Sequence, residues 1–157
     1  MEILNEIKFS LPSHSVNEST ARAVVSSFLV QADPTVEELS DIRTAVSEAV
    51  TNAIVHGYRG SFGKVDISVK LLAGREIYIR IKDCGCGIPQ DEIKNLTEPF
   101  YMVDKSRSRS EGGAGLGLSI VKMILQLHGA EMAIESTVGK GTIITLQFSC
   151  QTQSNAN

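Results

Sequence analysis

Hydrophobic residues alternate with polar ones at Ile7, Phe9 and Leu11, and this spacing predicts an opening strand within residues 3–11. The period then lengthens. Ala21, Val24, Val25, Phe28 and Leu29 share one face of a helix predicted over residues 15–32. Asp33-Pro34 ends it, because a residue before proline disfavours helical geometry. Thr35 and Glu38 have the spacing of a capping box, which starts a second helix. Its apolar stripe is Val36, Leu39, Ile42, Val46, Ala49, Val50 and Ala53, with Gly57 as the expected stop.

Alternation returns at Val65, Ile67, Val69 and Leu71, and again at Ile77, Ile79 and Ile81. Ala73-Gly74 is the turn between these two strands, so they form a hairpin. A short helix is expected after Pro89. Residues 97–114 are polar, lack a period and end in glycines, as functional lids and disordered segments do. Phe100 is expected to anchor this segment by packing. A third long helix spans residues 115–128 and is stopped by Gly129; residues 131–136 and 142–149 form a closing hairpin around Gly139-Lys-Gly141. These elements predict an α/β fold: a two-layer sandwich with a mixed, mainly antiparallel sheet and helices on one face. Residues 1–150 form one expected domain and residues 151–157 a polar, disordered tail.

Composition narrows the function classes. Acidic and basic residues are mixed along the chain and the net charge is −3, which argues against a general nucleic-acid binder needing a basic face. No run is long and apolar enough for a membrane span, and the first residues lack a signal peptide's basic start. Three cysteines cannot all pair within one chain, and Cys84 and Cys86 are too close for an easy bridge. They read as reduced thiols of a cytoplasmic protein.

Three separated motifs carry candidate chemistry. In the second helix, Glu48 and Asn52 lie one turn apart on one face, and His56 continues that line. An amide oxygen from Asn52 suits magnesium. A carboxylate at Glu48 can orient or deprotonate a hydroxyl or water. An isolated pair at this spacing is usually an ordinary exposed face; the other two motifs change that weighing. Asp83-Cys-Gly85-Cys-Gly87 follows a strand, where a carboxylate can accept from an exocyclic amine and glycines let backbone approach a flat base. Gly113-x-Gly115-x-Gly117 opens a helix, whose free N–H groups and positive dipole suit phosphate. No strand immediately precedes it, so it is not a dinucleotide-binding turn, and it lacks the Gly-Lys-Ser/Thr ending of a Walker loop.

Together these motifs resemble the GHKL ATPase superfamily, which includes gyrase, Hsp90-type chaperones, histidine kinases and mismatch-repair ATPases. The run Ser-Glu-Ala-Val-Thr-Asn-Ala-Ile-Val-His-Gly-Tyr at residues 47–58 is similar to the anti-sigma-factor serine kinases of sporulation. Asn17-Glu-Ser-Thr-Ala-Arg22 and the Asp33-Pro34-Thr35 break extend that likeness, which covers residues 3–148. The segment from Glu98 to Arg109 and the run Gly-Gly-Ala-Gly-Leu-Gly-Leu-Ser-Ile-Val at residues 112–121 instead resemble the lid and second glycine box of histidine kinases.

The resemblance implies a Bergerat fold with a left-handed crossover, and ATP and Mg2+ as cofactors. It makes Glu48 the general base, Asn52 the magnesium ligand and Asp83 the reader of the adenine amino group. His56, Gly85, Gly87, Gly113, Gly115, Leu116, Gly117 and Leu118 are the further expected nucleotide contacts. Lys105 and Arg109, with Arg107 between them, would screen phosphate charge, and Thr142 would help hold Asp83 through water. Arg22 matches a partner-contacting position. The implied partners are a sigma factor and an anti-sigma-factor antagonist that serves as the phosphorylated substrate, and the implied assembly is a homodimer. Two other readings stay open: a histidine-kinase catalytic domain, and a non-catalytic, ATP-gated binding module. His14, His56 and His128 are not expected in a dimerising hairpin, which weighs against the former; Glu48 weighs against the latter.

Overall fold

The computed structural model describes residues 1–102 and 116–151. Five strands run in the order β1 (Ile3–Pro12), β2 (Lys64–Leu72), β3 (Glu76–Asp83), β5 (Gly141–Ser149) and β4 (Glu131–Thr137) across one sheet. Every neighbouring pair is antiparallel. The helices are α1 (Asn17–Leu29), α2 (Val36–Thr51), the short α3 (Gln90–Ile93) and α4 (Gly117–His128). α2 lies between α1 and α4, and the three cover one face of the sheet.

Among the described residues only that face is covered, and the alternation explains why. Ile67 lies opposite Ile81, which lies opposite Ile144, and Val69, Ile79 and Leu146 make the next row. All six are buried. The intervening residues Lys8, Ser10, Asp66, Ser68, Arg80 and Lys82 fall on the other face, because successive side chains of a strand point oppositely. Against the apolar rows pack Ala21, Val25 and Leu29 of α1, Ile42, Val46 and Val50 of α2, and Val121 and Leu125 of α4.

Local signals in the chain account for most boundaries. Thr35 caps α2 as expected: its hydroxyl accepts from the Glu38 N–H at 3.1 Å, and the Thr35 N–H donates to Glu38 Oε2 at 2.8 Å. The same carboxylate accepts from the Gln151 N–H at 2.9 Å, so the end of β5 is tied to the start of α2. Burial pushes the Glu38 carboxyl up, but hydrogen bonds from Gln151 and Thr35 outweigh it and leave the group below its ordinary value. Thr35→Ala is expected to cost about 1 kcal/mol of stability, the usual worth of such a cap. Urea unfolding checks this, and an unchanged midpoint would remove the cap from the account.

Several expectations are corrected. The helix expected over residues 15–32 is α-helical only from Asn17 to Leu29; Val30–Ala32 tighten into a 3₁₀ turn, and Asp33 is left-handed at φ 48°. Val36 is 87% exposed rather than part of the apolar stripe, because as the first residue of α2 it projects beyond the packed turns. Phe100 does not anchor its segment: it is 70% exposed, with a φ of 65°. Tyr101 makes the tie instead, donating from its hydroxyl to Glu92 Oε2 at 2.9 Å.

Candidate nucleotide-binding site

α2 does not end where α-helical geometry stops. Asn52–Gly57 continue it as a π-helical turn. π turns are rare and concentrate at functional sites. The Asn52 N–H is shared between the Glu48 and Ala49 carbonyls at this junction. Glu48 and Asn52 therefore sit where one helical period gives way to a wider one, and both are half-buried. The wider turn breaks the alignment expected for His56, since four residues no longer complete a turn. His56 is exposed, and its carbonyl faces the Cys86 thiol at 3.5 Å.

Glu48 points at the start of α4. A methyl group placed on Gly117 would lie 2.6 Å from Glu48 Oε2, so any side chain there would push the carboxylate from this position. Burial raises the Glu48 carboxyl above its ordinary value, and the charge of Glu18 on α1 raises it further. A carboxylate so shifted is better matched to accept a proton near neutral pH. Leu116 caps the same helix end, its carbonyl accepting from the Ser119 hydroxyl at 2.7 Å and the Ile120 N–H at 2.9 Å. Leu118 is buried in the core and supports the helix from beneath.

Asp83 ends β3 and is 3% exposed. Its Oδ1 accepts from the Gly85 N–H at 2.9 Å. Burial raises its carboxyl, opposed by hydrogen bonds from the backbones of Gly85 and Thr142. Three glycines close round it. A methyl on Gly57 would fall 2.8 Å from the Asp83 carboxyl carbon; one on Gly85 would fall 2.0 Å from the Gly57 carbonyl oxygen; one on Gly141 would fall 2.1 Å from the Asp83 carbonyl oxygen. Gly87, at φ 72°, approaches the Thr137 carbonyl in the same way. The expected reason for Gly85 and Gly87 was close approach to a base. The structure shows a nearer one: the chain's own backbone passes through the space a side chain would fill.

Thr142 lies opposite Asp83 in the β3–β5 register and is buried. Its hydroxyl lies 2.8 Å from that of Ser136, which also accepts from the Ile88 N–H at 2.8 Å. The glycine loop after Asp83 is thus fastened to the closing hairpin. At its other end the Tyr58 hydroxyl accepts from the Cys84 N–H at 2.9 Å and the Lys64 N–H at 3.2 Å. Tyr58 and Ser136 organise the site, yet only weak signals pointed to them. A tyrosine closing a helix needs a partner for its hydroxyl once buried, which was the one available hint.

The fold thus sets Glu48, one turn before Asn52, against Gly117, groups Asp83, Gly85 and Thr142 about Gly57 at the end of the same helix, and places Gly87 against Thr137 of the closing hairpin. Lys105, Arg107, Arg109, Gly113 and Gly115 lie outside the described residues. Arg22 is on α1 and pairs with Glu18 at 3.6 Å.

Among the described residues no group of three His, Cys, Asp or Glu side chains could hold a metal alone. One amide oxygen at Asn52 fits magnesium, which takes few protein ligands and completes its shell with water and phosphate. No helix among the described residues is long and apolar enough to cross a membrane.

The family described as histidine kinase-, DNA gyrase B-, and HSP90-like ATPase matches residues 37–152. A protein of Thermoanaerobacter sp. (strain X514) named anti-sigma F factor is 39% identical over 93% of this chain and 94% of its own length. Among solved structures, the mycobacterial sensor histidine kinase MprB superposes with a TM-score of 0.59 at 26% identity, covering 72% of this chain and 74% of that one. The histidine kinase domain from Erythrobacter litoralis EL346 superposes with a TM-score of 0.52 at 27% identity over 73% of this chain, which spans only 45% of its length. The matched residues run from the first turn of α2 to the end of β5 and so contain Glu48, Asn52, Asp83 and Gly117. This chain therefore belongs to the family of histidine kinase-, DNA gyrase B- and HSP90-like ATPases.

Proposed function

We propose that this chain is an anti-sigma factor with ATP-dependent serine kinase activity. It captures a sigma factor and phosphorylates an anti-sigma-factor antagonist, acting as a homodimer in the cytoplasm. The observation that carries the kinase half is Glu48: a carboxylate, half-buried and raised in pKa, set against the N-terminal end of α4. Histidine kinases commonly resemble this site with Asn at that position, whereas Glu suits a reaction that must deprotonate a hydroxyl. The name carried by the 39% identical relative supports the sigma-factor half.

In this reading Asp83 accepts from the adenine amino group and selects against guanine, whose carbonyl oxygen cannot donate. The N-terminal end of α4 and the glycines before it receive phosphate. As a substrate serine oxygen bonds to the γ-phosphorus, the bond to the ADP oxygen breaks and Glu48 takes the serine proton. Magnesium, held by the Asn52 amide oxygen, would neutralise phosphate charge. Arg22 and α1 meet the protein partner, and Lys105 and Arg109 meet the phosphates.

The test is transfer from γ-labelled ATP to a small protein in a spore-former's lysate. Asn52→Ala is expected to lower transfer by about 10²-fold or more, the scale of losing one stabiliser of transition-state charge. Acid-stable, base-labile label is phosphoserine and supports the proposal. The structural likeness to histidine kinases favours a second reading, and acid-labile label would select it. ATP binding without any label that depends on Asn52 would leave a nucleotide-gated binding module.

A further inference from the structure

The loop between β3 and α3 carries two thiols to which the nucleotide site gives no role. Cys84 is exposed and Cys86 half-buried, with Gly85 alone between them. Two residues of extended chain span about 7 Å. The chain bends at Gly85 and Cys86, which brings that span within the range of about 4.4–6.8 Å that bridged cysteines occupy. The loop is also fastened to the site. The Gly85 N–H donates to Asp83 Oδ1, the Cys86 N–H to the Gly57 carbonyl at 2.9 Å, and the Gly139 N–H to the Cys86 carbonyl at 2.8 Å. The Cys86 thiol faces the His56 carbonyl on the π turn.

We propose that Cys84 and Cys86 form a reversible redox site, oxidised by hydrogen peroxide to an intrachain disulfide that weakens nucleotide binding. The inference rests on the reading of Asp83 as the adenine contact. The Cys84 sulfur attacks one peroxide oxygen, the O–O bond breaks, and one water leaves with Cys84 as a sulfenic acid. The Cys86 sulfur then attacks the Cys84 sulfur, the S–S bond forms, and the sulfenic hydroxyl leaves as a second water. Two electrons pass from the thiols to the peroxide, and the two thiol protons end in the waters.

Solvent reaches Cys84, so it reacts first, and Cys86 is the resolving partner. Cys150 is buried, and burial pushes its thiol up to about 11, so it stays reduced. Closing the ring draws the Cys86 sulfur from the His56 carbonyl and turns the peptide at Gly85. Gly85 has no slack toward α2, since a methyl there would fall 2.0 Å from the Gly57 oxygen. It therefore gives up its hydrogen bond to Asp83, and the carboxyl loses the donor that orients it. A bridge with an exposed sulfur is open to reductants, so the change reverses in a reducing compartment.

The experiment treats the full chain with hydrogen peroxide and follows mass, free thiols and calorimetric ATP affinity, before and after dithiothreitol. The oxidised chain is expected to lack two hydrogens, to bind ATP about tenfold more weakly, and to recover with dithiothreitol. Saturating ATP shifts the bridge's equilibrium with dithiothreitol toward thiols by the same factor. In Cys86→Ser oxidation stops at a Cys84 sulfenic acid, which dimedone traps. Cys84→Ser, treated alike, keeps its ATP affinity; an equal loss there would place the damage elsewhere and overturn the proposal. A bridge that joins two chains or uses Cys150 overturns it too, as does unchanged ATP affinity in the bridged chain. Should the bridge form while the reduced chain binds no ATP, the thiol chemistry stands and the nucleotide reading falls.

Discussion

Glu48→Gln lowers phosphate transfer by about 10²- to 10⁴-fold, the range for loss of a general base, while ATP affinity changes by no more than about threefold. The amide keeps the size and the hydrogen-bonding reach of the carboxylate, so the contact with Gly117 survives. What is lost is the ability to take a proton in the transition state. An effect on kcat with binding preserved is the signature of such a group. Single-turnover transfer and calorimetric ATP titration measure the two quantities separately.

The pH profile adds a second check. Burial and Glu18 raise the Glu48 carboxyl, and the base works only when ionised. The acid limb of transfer in the native chain is therefore expected to be displaced upward from that of an ordinary glutamate and to disappear in Glu48→Gln. Transfer within a few-fold of native in that variant would end the role assigned to Glu48.

Asp83→Asn is expected to weaken ATP binding by about 10- to 100-fold, the worth of a hydrogen bond to a charged group, and to narrow the preference over GTP. The argument is geometric. Gly85 donates to Oδ1, so the asparagine oxygen is held there and the amide nitrogen takes the other position. That nitrogen opposes an exocyclic amine and accommodates a carbonyl oxygen. Asp83 is 3% exposed, and the space beside its carboxyl is narrow enough that a methyl on Gly57 would fall 2.8 Å from it. Competition between ATP and GTP, read by calorimetry with thermal unfolding as the control for folding, decides it. Undiminished selectivity for ATP in a folded Asp83→Asn protein would move adenine reading to another group.

These two residues also mark how far the chain could be read without coordinates. The hairpins, the capped start of α2, the end of α4 at Gly129 and the one-sided sheet all follow from periods of two and of about four residues. Such signals are local: they depend on which neighbours in sequence share a face. The three motifs were legible for the same reason, each being a short run whose residue types suit one task.

Other features depend on contacts between segments distant in the chain, and no local period encodes them. The π turn at Asn52–Gly57 sets His56 off the line of Glu48 and Asn52. Gly57, Gly85 and Gly141 are required by one another's backbones and by Asp83, a condition visible only when α2, β3 and β5 are brought together. Tyr58 and Ser136 became organisers of the loop because their hydroxyls reach backbone on other elements. Glu18 became a neighbour of Glu48 only because α1 packs beside α2. The chain alone thus determined the elements and the chemical groups on offer. The packing of distant segments decided which groups meet, and with that the charge and aim of the proposed base.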